Sequence, residues 1–161
     1  MKVLAKIEPM KHNHPMKTVL FLCSGNYYRS RFAEYFFNWH AESNGLGWQA
    51  KSKGLAVGRY GNIGPVSKYT IERLNDLGIP INGNSRFPQQ VTEQHFSDAS
   101  LVIALKEAEH REMLEESFSD WADQVEYWHI NDLDCAEPEE ALPVLENEVL
   151  ALLERLSRSS C

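Results

Sequence analysis

Short apolar runs of strand length alternate along this chain with amphipathic helical segments, and this alternation restricts the possible folds more than any other feature. Residues 18–22 (Thr-Val-Leu-Phe-Leu) form an uninterrupted run, which is typical of a strand covered on both faces. Residues 30–43 follow with apolar side chains at helical spacing. A repeated strand–helix order predicts a parallel sheet with helices on both faces.

Glycine and proline residues divide the rest of the chain into further segments of both kinds. Strands are expected over 48–52, 101–105 and 125–130, and helices over 66–77, about 106–116 and 139–157. Gly78 is expected to end the second helix, residues 79–91 to be irregular, and Thr92 to cap a short turn. The predicted fold class is α/β, a four-stranded parallel sheet in a Rossmann-like, three-layer arrangement. Ligands of such sheets bind at the carboxyl ends of the strands.

The composition is that of one folded domain. Of the 161 residues, 43% are hydrophobic and 24% are charged, which is close to globular averages. We expect the domain to span residues 17–157, between a flexible tail at 1–16 and a short C-terminal tail at 158–161. No apolar run approaches the roughly 20 residues of a membrane span, and the first residues lack a signal peptide's features. These observations predict a cytoplasmic protein that does not associate with membranes.

Charge is distributed unevenly along the chain. The net charge of −7 argues against a large surface for nucleic acid or anionic membranes. Residues 1–86 hold 12 Lys/Arg and 5 Asp/Glu, whereas residues 87–161 hold 4 and 18, so an anion-binding site is expected in the first half. Cys23, Cys135 and Cys161 are too few and too widely spaced for a disulfide framework. No metal and no cofactor is expected.

The loop that follows the first predicted strand reads Cys-Ser-Gly-Asn-Tyr-Tyr-Arg-Ser over residues 23–30. It must turn around a helix N-terminus, where free N–H groups and the helix dipole favour an anion. Gly25 and Asn26 suit positions with positive φ, and Arg29 supplies a charged fork that can hold two phosphate oxygens. The loop is therefore predicted to bind a phosphate-like anion.

Cys23 stands where this loop begins. A thiol beside a helix N-terminus and a cation tends to ionise, and we expect it to act as a nucleophile toward the bound anion. Ser30 is expected to donate a hydrogen bond to the thiolate and so make it a better leaving group in a second step. The combination predicts attack on a bound oxyanion, most plausibly phosphate.

The segment VLFLCSGNYYRSRFAE resembles the active-site loop of the low-molecular-weight protein tyrosine phosphatases. The similarity covers most of residues 17–157, because SKGL, IERLNDLGI and NSRF also resemble segments of that family. The resemblance implies the phosphotyrosine protein phosphatase I-like fold. It implies Cys23 as nucleophile, Arg29 as phosphate clamp, Ser30 as thiolate donor, and Asn26 with Ser52 as supports. The other loop residues expected at the phosphate are Ser24, Gly25, Tyr27 and Tyr28.

The family carries its general acid as an Asp-Pro pair after the fourth strand, and a positioned acid accelerates such reactions by about 10²- to 10⁴-fold. Here the segment YWHINDLD makes Asp132 the expected acid and Asp134 the second candidate. Leu133 replaces the family's proline, so a less rigid loop is expected. The aromatic pair that many relatives have after Asp-Pro is also missing, which leaves Tyr27 and Tyr60, with Leu133, as expected substrate contacts.

Two further departures bear on function. Several relatives have a second cysteine at the position of Tyr28, where it protects the nucleophile. Relatives that reduce arsenate need resolving cysteines after the third strand, and residues 101–111 contain none; Cys135 is the one cysteine expected to approach the site. The acidic run over 107–116 is expected to be a solvated helix face.

These observations predict hydrolysis of phosphomonoesters without a metal. A phosphotyrosine protein is the default substrate by resemblance, while phosphoarginine or a small phosphomonoester stays open, and inorganic phosphate and vanadate are the expected ligands. A non-catalytic phosphate- or phosphoprotein-binding module is the alternative from another class, and arsenate reduction is less favoured. The oligomeric state stays open.

Overall fold

A computed structural model describes residues 16–81 and 86–159, so Cys161 and all but the last residue of the 1–16 tail lie outside the described part. Nine elements occur within the described part, in an alternating order. They are β1 Lys17–Cys23, α1 Arg29–Ser43, β2 Trp48–Gly54, α2 Lys68–Asp76, α3 Glu93–Asp98, β3 Leu101–Ala104, α4 Glu107–Ser117, β4 Glu126–Tyr127 and α5 Pro138–Ser159. None of the helices described has the length and apolar character needed to span a membrane.

The four strands form one parallel sheet in the order β2-β1-β3-β4. The chain moves from β1 to one neighbour, β2, and later returns to the other side of β1 to form β3. This reversal of direction is the topological switch point, where parallel α/β sheets bind ligands at the carboxyl ends of their strands. The segment that follows Cys23 lies at this point, as predicted.

Strand β1 is covered on both faces, because its side chains alternate between two apolar clusters. Val19 and Phe21 pack against helices α1, α2 and α5, whereas Leu20 and Leu22 pack against α3 and α4. The helical residues of the first cluster include Phe32, Phe37, Leu74, Leu145 and Val149, and those of the second include Phe96 and Leu114. The predicted three-layer architecture is confirmed.

The segment before β3 is more ordered than the sequence indicated. A short helix, α3, occupies Glu93–Asp98 where only a turn was expected. Thr92 is its N-cap, and the Thr92 backbone N–H donates to Nδ1 of His95 over 2.9 Å. Phe96 anchors the helix in the second cluster. The cap at Thr92 and the buried Phe96 side chain together stabilise a helix where the sequence predicted only a turn.

Strand β4 and the end of α2 also differ from expectation. The strand was predicted over 125–130 but is limited to Glu126–Tyr127. Beyond it the chain crosses the end of β3, because His129 forms an isolated antiparallel bridge with Lys106. Leu77, expected on the buried face of α2, is exposed since it is the C-cap residue, and Gly78 follows with φ +75°.

Candidate active site

The loop of residues 23–30 joins β1 to α1 around the helix N-terminus. Cys23 is almost fully buried at the end of β1. Asn26 has φ 51°, which confirms the predicted left-handed conformation, whereas Gly25 does not have a positive φ. A Cβ atom at Gly25 would lie 3.0 Å from Nδ2 of Asn62, and a small shift of that exposed side chain would relieve the contact. The left-handed backbone of Asn26 is thus the conformational feature that shapes the loop.

Ser30 lies directly beside the cysteine sulfur. Sγ of Cys23 and Oγ of Ser30 are 3.0 Å apart. The Asn26 amide donates to Oγ of Ser30 and to Oγ of Ser52, both over 2.9 Å. Because the Ser30 hydroxyl accepts from Asn26, its own proton is available to the sulfur once the thiol has ionised.

The Asn26 side chain is held at every hydrogen-bonding position. Its Oδ1 accepts from Nη1 of Arg86 over 2.9 Å and from the backbone N–H of Gln89 over 3.0 Å. Ser52, which accepts a hydrogen bond from Asn26, donates one from its hydroxyl to Oε1 of Glu34 over 2.6 Å. Sequence reasoning found Asn26 and Ser52 but missed Arg86 and Glu34, because nothing in the local sequence connects them to the loop.

Arg29 is buried, with a relative exposure of 1%. Its Nη1 donates to the Ile130 carbonyl over 3.1 Å, and its Nη2 lies 3.3 Å from Oδ2 of Asp132. Its Nε is buried and has no hydrogen-bond partner among the described residues. Burial lowers the pKa of this guanidinium, but neighbouring acidic groups, with Cys23 first, raise it by more. Arg29 therefore stays charged, and its Nε N–H is available to a ligand.

A cavity of about 160 Å³ opens above the loop. Its lining includes Cys23, Ser24, Gly25, Tyr27, Tyr28, Arg29, Tyr60, Asn62, Ser67, Asp132 and Leu133. The three residues expected to contact substrate, Tyr27, Tyr60 and Leu133, all lie in this lining. The Tyr27 hydroxyl donates to the Ile63 carbonyl, whereas Tyr60 is half exposed. A larger cavity, about 510 Å³, is lined by α1 residues and contains no cysteine.

Asp132 faces the cavity from the loop after β4. Its Oδ1 accepts from the Leu133 backbone N–H over 2.9 Å, and its side chain is 41% exposed. Proline could not donate this hydrogen bond, so Leu133 adds an anchor where only reduced rigidity was expected. Asp134 is exposed and is not among the cavity-lining residues.

Glu109 and His110 were missed by the sequence analysis, which treated the acidic run over 107–116 as solvated. His110 is fully buried, and its Nε2 lies 3.1 Å from Oγ of Ser24. The Ser24 hydroxyl donates to Glu109, and Glu109 in turn contacts Arg29. Both residues lie in the first turn of α4, just beyond the carboxyl end of β3. Their position at the switch point was the available signal.

The charges of this group follow from its surroundings. Burial by itself would raise the pKa of the Glu109 carboxyl, but the hydrogen bond from His110 and the charge of Arg29 hold it well below its usual range. Burial lowers the pKa of His110. The group is therefore a carboxylate beside a neutral imidazole at neutral pH.

Of two further residues predicted near the site, Tyr28 lines the cavity and Cys135 does not. The Tyr28 hydroxyl is buried, and burial followed by the charge of Asp132 raises its pKa. Cys135 is exposed, lies with its Sγ 3.6 Å from Nζ of Lys106, and is not in the cavity lining. Among residues 16–81 and 86–159, no group of three His, Cys, Asp or Glu side chains is arranged to hold a metal.

A buried cysteine and a buried arginine whose Nε has no partner among the described residues line one small cavity at the switch point of a parallel sheet. This fold and site define a class, the α/β domains that bind an oxyanion between their first strand and first helix. The model of the low molecular weight phosphotyrosine protein phosphatase family matches residues 18–160. The chain belongs to this family, and the predicted fold and enzyme class, a phosphatase among the hydrolases, are confirmed.

Two proteins of Bacillus subtilis (strain 168) are similar in sequence. A protein-arginine-phosphatase is 30% identical over 107 residues, which cover 66% of this chain and 67% of that protein. The low molecular weight protein-tyrosine-phosphatase YfkJ is 34% identical over 90 residues, 56% of each chain. The crystal structure of YfkJ matches with a TM-score of 0.75 and 26% identity, covering 92% of this chain and 99% of that one. The sequence matches thus span only part of these relatives, while the fold match spans nearly all of YfkJ.

Proposed function

We propose that this chain hydrolyses phosphomonoesters through a phosphocysteine intermediate on Cys23. The observation that carries the proposal is the buried Nε of Arg29, which has no partner among the described residues and belongs to a side chain lining the same cavity as the thiol. A buried N–H without a partner is costly, and a phosphate oxygen would satisfy it with a charge-assisted hydrogen bond. Family membership supports the phosphatase class.

In the first step the Cys23 thiolate attacks phosphorus. The S–P bond forms while the P–O bond to the leaving group breaks, and the Asp132 carboxyl gives its proton to the departing oxygen. Arg29 and the loop hold the phosphoryl oxygens in line, so catalysis consists mainly of positioning and electrostatic stabilisation. The contact between Asp132 and Arg29 supports this role, because it brings the carboxylate to the phosphate-binding arginine.

In the second step water attacks the phosphocysteine. The Asp132 carboxylate takes a proton from the water, a P–O bond forms, and the S–P bond breaks to release phosphate and the thiolate. Ser30 stabilises the leaving thiolate, since its hydroxyl lies 3.0 Å from the sulfur. No metal takes part in either step.

The proposed substrate is a phosphotyrosine side chain in a protein. Tyr27, Tyr60 and Leu133 at the cavity supply aromatic and apolar surface for a phenyl ring. Phosphoarginine is the second candidate, because one of the similar proteins is a protein-arginine-phosphatase. Initial rates on a phosphotyrosine peptide and a phosphoarginine peptide of the same sequence distinguish the two.

The decisive experiment is hydrolysis of p-nitrophenyl phosphate in EDTA between about pH 5 and 8, with and without vanadate. We expect turnover that vanadate inhibits. Cys23→Ser should lower the rate by on the order of 10⁴-fold or more and still bind vanadate, whereas Arg29→Ala should lose both. Vanadate binding without turnover in the wild type would instead identify a non-catalytic phosphate-binding module.

A further inference from the structure

Glu109 holds one edge of the Arg29 guanidinium. Its Oε1 lies 3.3 Å from Nη1, and its Oε2 lies 3.4 Å from Nη2. Two contacts between a carboxylate and the two terminal nitrogens fix both the position and the plane of the guanidinium. The Ile130 carbonyl, 3.1 Å from Nη1, adds a third fixed point.

The geometry leaves a defined part of Arg29 for a ligand. A guanidinium has five N–H groups in one plane. Glu109 contacts both terminal nitrogens, Ile130 contacts Nη1, and Asp132 contacts Nη2. The Nε atom has no protein partner among the residues described, and Arg29 lines the cavity that contains Cys23, whereas Glu109 does not. Glu109 thus acts on the arginine from the side away from the substrate.

Glu109 is itself held in place. The Lys106 backbone N–H donates to Nδ1 of His110 over 3.0 Å, so the neutral ring carries its proton on Nε2. That proton points to Oγ of Ser24, and the Ser24 hydroxyl donates to Glu109. Because Nε2 has no free lone pair in this tautomer, His110 cannot take the serine proton, and the group is no catalytic triad.

We propose that Glu109 is a positioning residue for the phosphate-binding arginine, fixed by Ser24 and His110. Its carboxylate orients Arg29 so that the unpartnered Nε N–H meets the phosphoryl group. This inference rests on the proposed function of the loop and assigns a role to a residue of α4 that does not touch the substrate. Only 27% of the Glu109 side chain is exposed, in keeping with an internal role.

The first test compares Glu109→Gln with Glu107→Gln. Glu107 is in the same helical turn but pairs with Arg111 and is largely exposed, so its substitution removes the same charge without touching Arg29. We expect Glu109→Gln to lower kcat on p-nitrophenyl phosphate about 10- to 100-fold, less than the roughly 10²- to 10³-fold for losing a direct donor. KM should change less than about threefold, because the arginine charge remains. Glu107→Gln should match the wild type.

The second test repeats Glu109→Gln in the Arg29→Lys background, measured at high enzyme concentration. If Glu109 acts through Arg29, it loses its effect when lysine replaces the guanidinium. In that background, Glu109→Gln should therefore lower kcat by less than about a further twofold. An equal loss in both backgrounds would overturn the inference. Thermal unfolding of each variant separates misfolding from misplacement of the arginine.

Should Glu109→Gln fail to fold, Ser24→Ala tests the same idea by removing the hydroxyl that holds Glu109. We expect kcat to fall several-fold with an unchanged KM, and an unchanged kcat would overturn the inference.

The two proposals fail differently. An inactive wild type removes the proposed function, whereas an active wild type with a fully active Glu109→Gln variant removes only the role of Glu109.

Discussion

Two loops meet at the cavity, and they are held in opposite ways. The phosphate loop, residues 23–30, is largely buried and tied to its surroundings through Asn26, whose side-chain amide has four partners. The acid loop, residues 131–137, is mostly exposed, and the Asp132 carboxylate contacts only the Leu133 N–H and Arg29 among the described residues. The phosphate loop is thus held by many side-chain contacts, while the key side chain of the acid loop is held by few.

The difference follows from where each loop leaves the sheet. The phosphate loop continues from β1, the strand that pairs over its full length with β2 and also with β3. The acid loop follows β4, an edge strand that pairs over two residues. Edge segments with few contacts open at low cost in free energy. In the proposed mechanism, a firmly held phosphate loop is therefore combined with a general acid on a segment that opens more easily.

Replacing Asp132 should show the difference between the acid loop and the phosphate loop most strongly. Asp132→Ala should lower kcat on phenyl phosphate, a poor leaving group, by about 10²- to 10⁴-fold. The loss on p-nitrophenyl phosphate should be far smaller, because that leaving group departs without a proton. Vanadate should bind as in the wild type, since the phosphate loop is intact. Steady-state rates on both esters measure the difference.

Asp134→Ala is the matched control for this prediction. Asp134 is exposed two residues further along the same loop, so its loss should leave both rates within about twofold. If Asp134→Ala reduced the phenyl phosphate rate and Asp132→Ala did not, the acid would be Asp134.

Removing the hydrogen bonds that hold the phosphate loop should lower both the free energy of unfolding and kcat. Asn26→Ala removes four hydrogen bonds and leaves buried partners unpaired, which costs about 1–3 kcal/mol for each unsatisfied group, and it places alanine at φ 51°. We expect the free energy of unfolding in urea to fall by about 2–4 kcal/mol and kcat to fall about 10-fold or more.

Asn38→Ala controls for stability alone. The Asn38 side chain bridges α1 to Ala50 of β2 with two hydrogen bonds and is not among the residues that line the cavity containing Cys23. Its loss should lower the free energy of unfolding but leave kcat unchanged. Equal kcat values for the Asn26 and Asn38 variants would mean that the network serves folding and not the shape of the loop.

The parts of the site differ in how far they could be predicted from the sequence. The phosphate loop was found because strand, glycine, arginine and helix lie within about a dozen residues, so local pattern and topology agree. Glu109 and Arg86 reach that loop from more than 50 residues away. Topology places the start of α4 near the loop, but a single sequence does not show which side chains make the contacts. The short length of β4 was not predicted for the same reason, because the ends of a strand depend on which residues of the neighbouring strand pair with it.

The smallest expected effect tests what Leu133 does in the acid loop. Leu133→Pro restores the residue found in the family but removes the N–H that donates to Oδ1 of Asp132. Leu133→Ala keeps that N–H and removes only the apolar side chain. A net hydrogen bond of about 0.5–1 kcal/mol corresponds to a two- to fivefold change in rate.

We therefore expect Leu133→Pro to hydrolyse phenyl phosphate two to five times more slowly than Leu133→Ala, about the change that one such hydrogen bond supports. A proline variant that is faster than the alanine variant would show that rigidity of the loop matters more than the anchor on Asp132. The missing proline would then account for the difference between the acid loop and the phosphate loop. A slower proline variant would mean instead that this chain replaced a rigid backbone with a hydrogen bond to its acid.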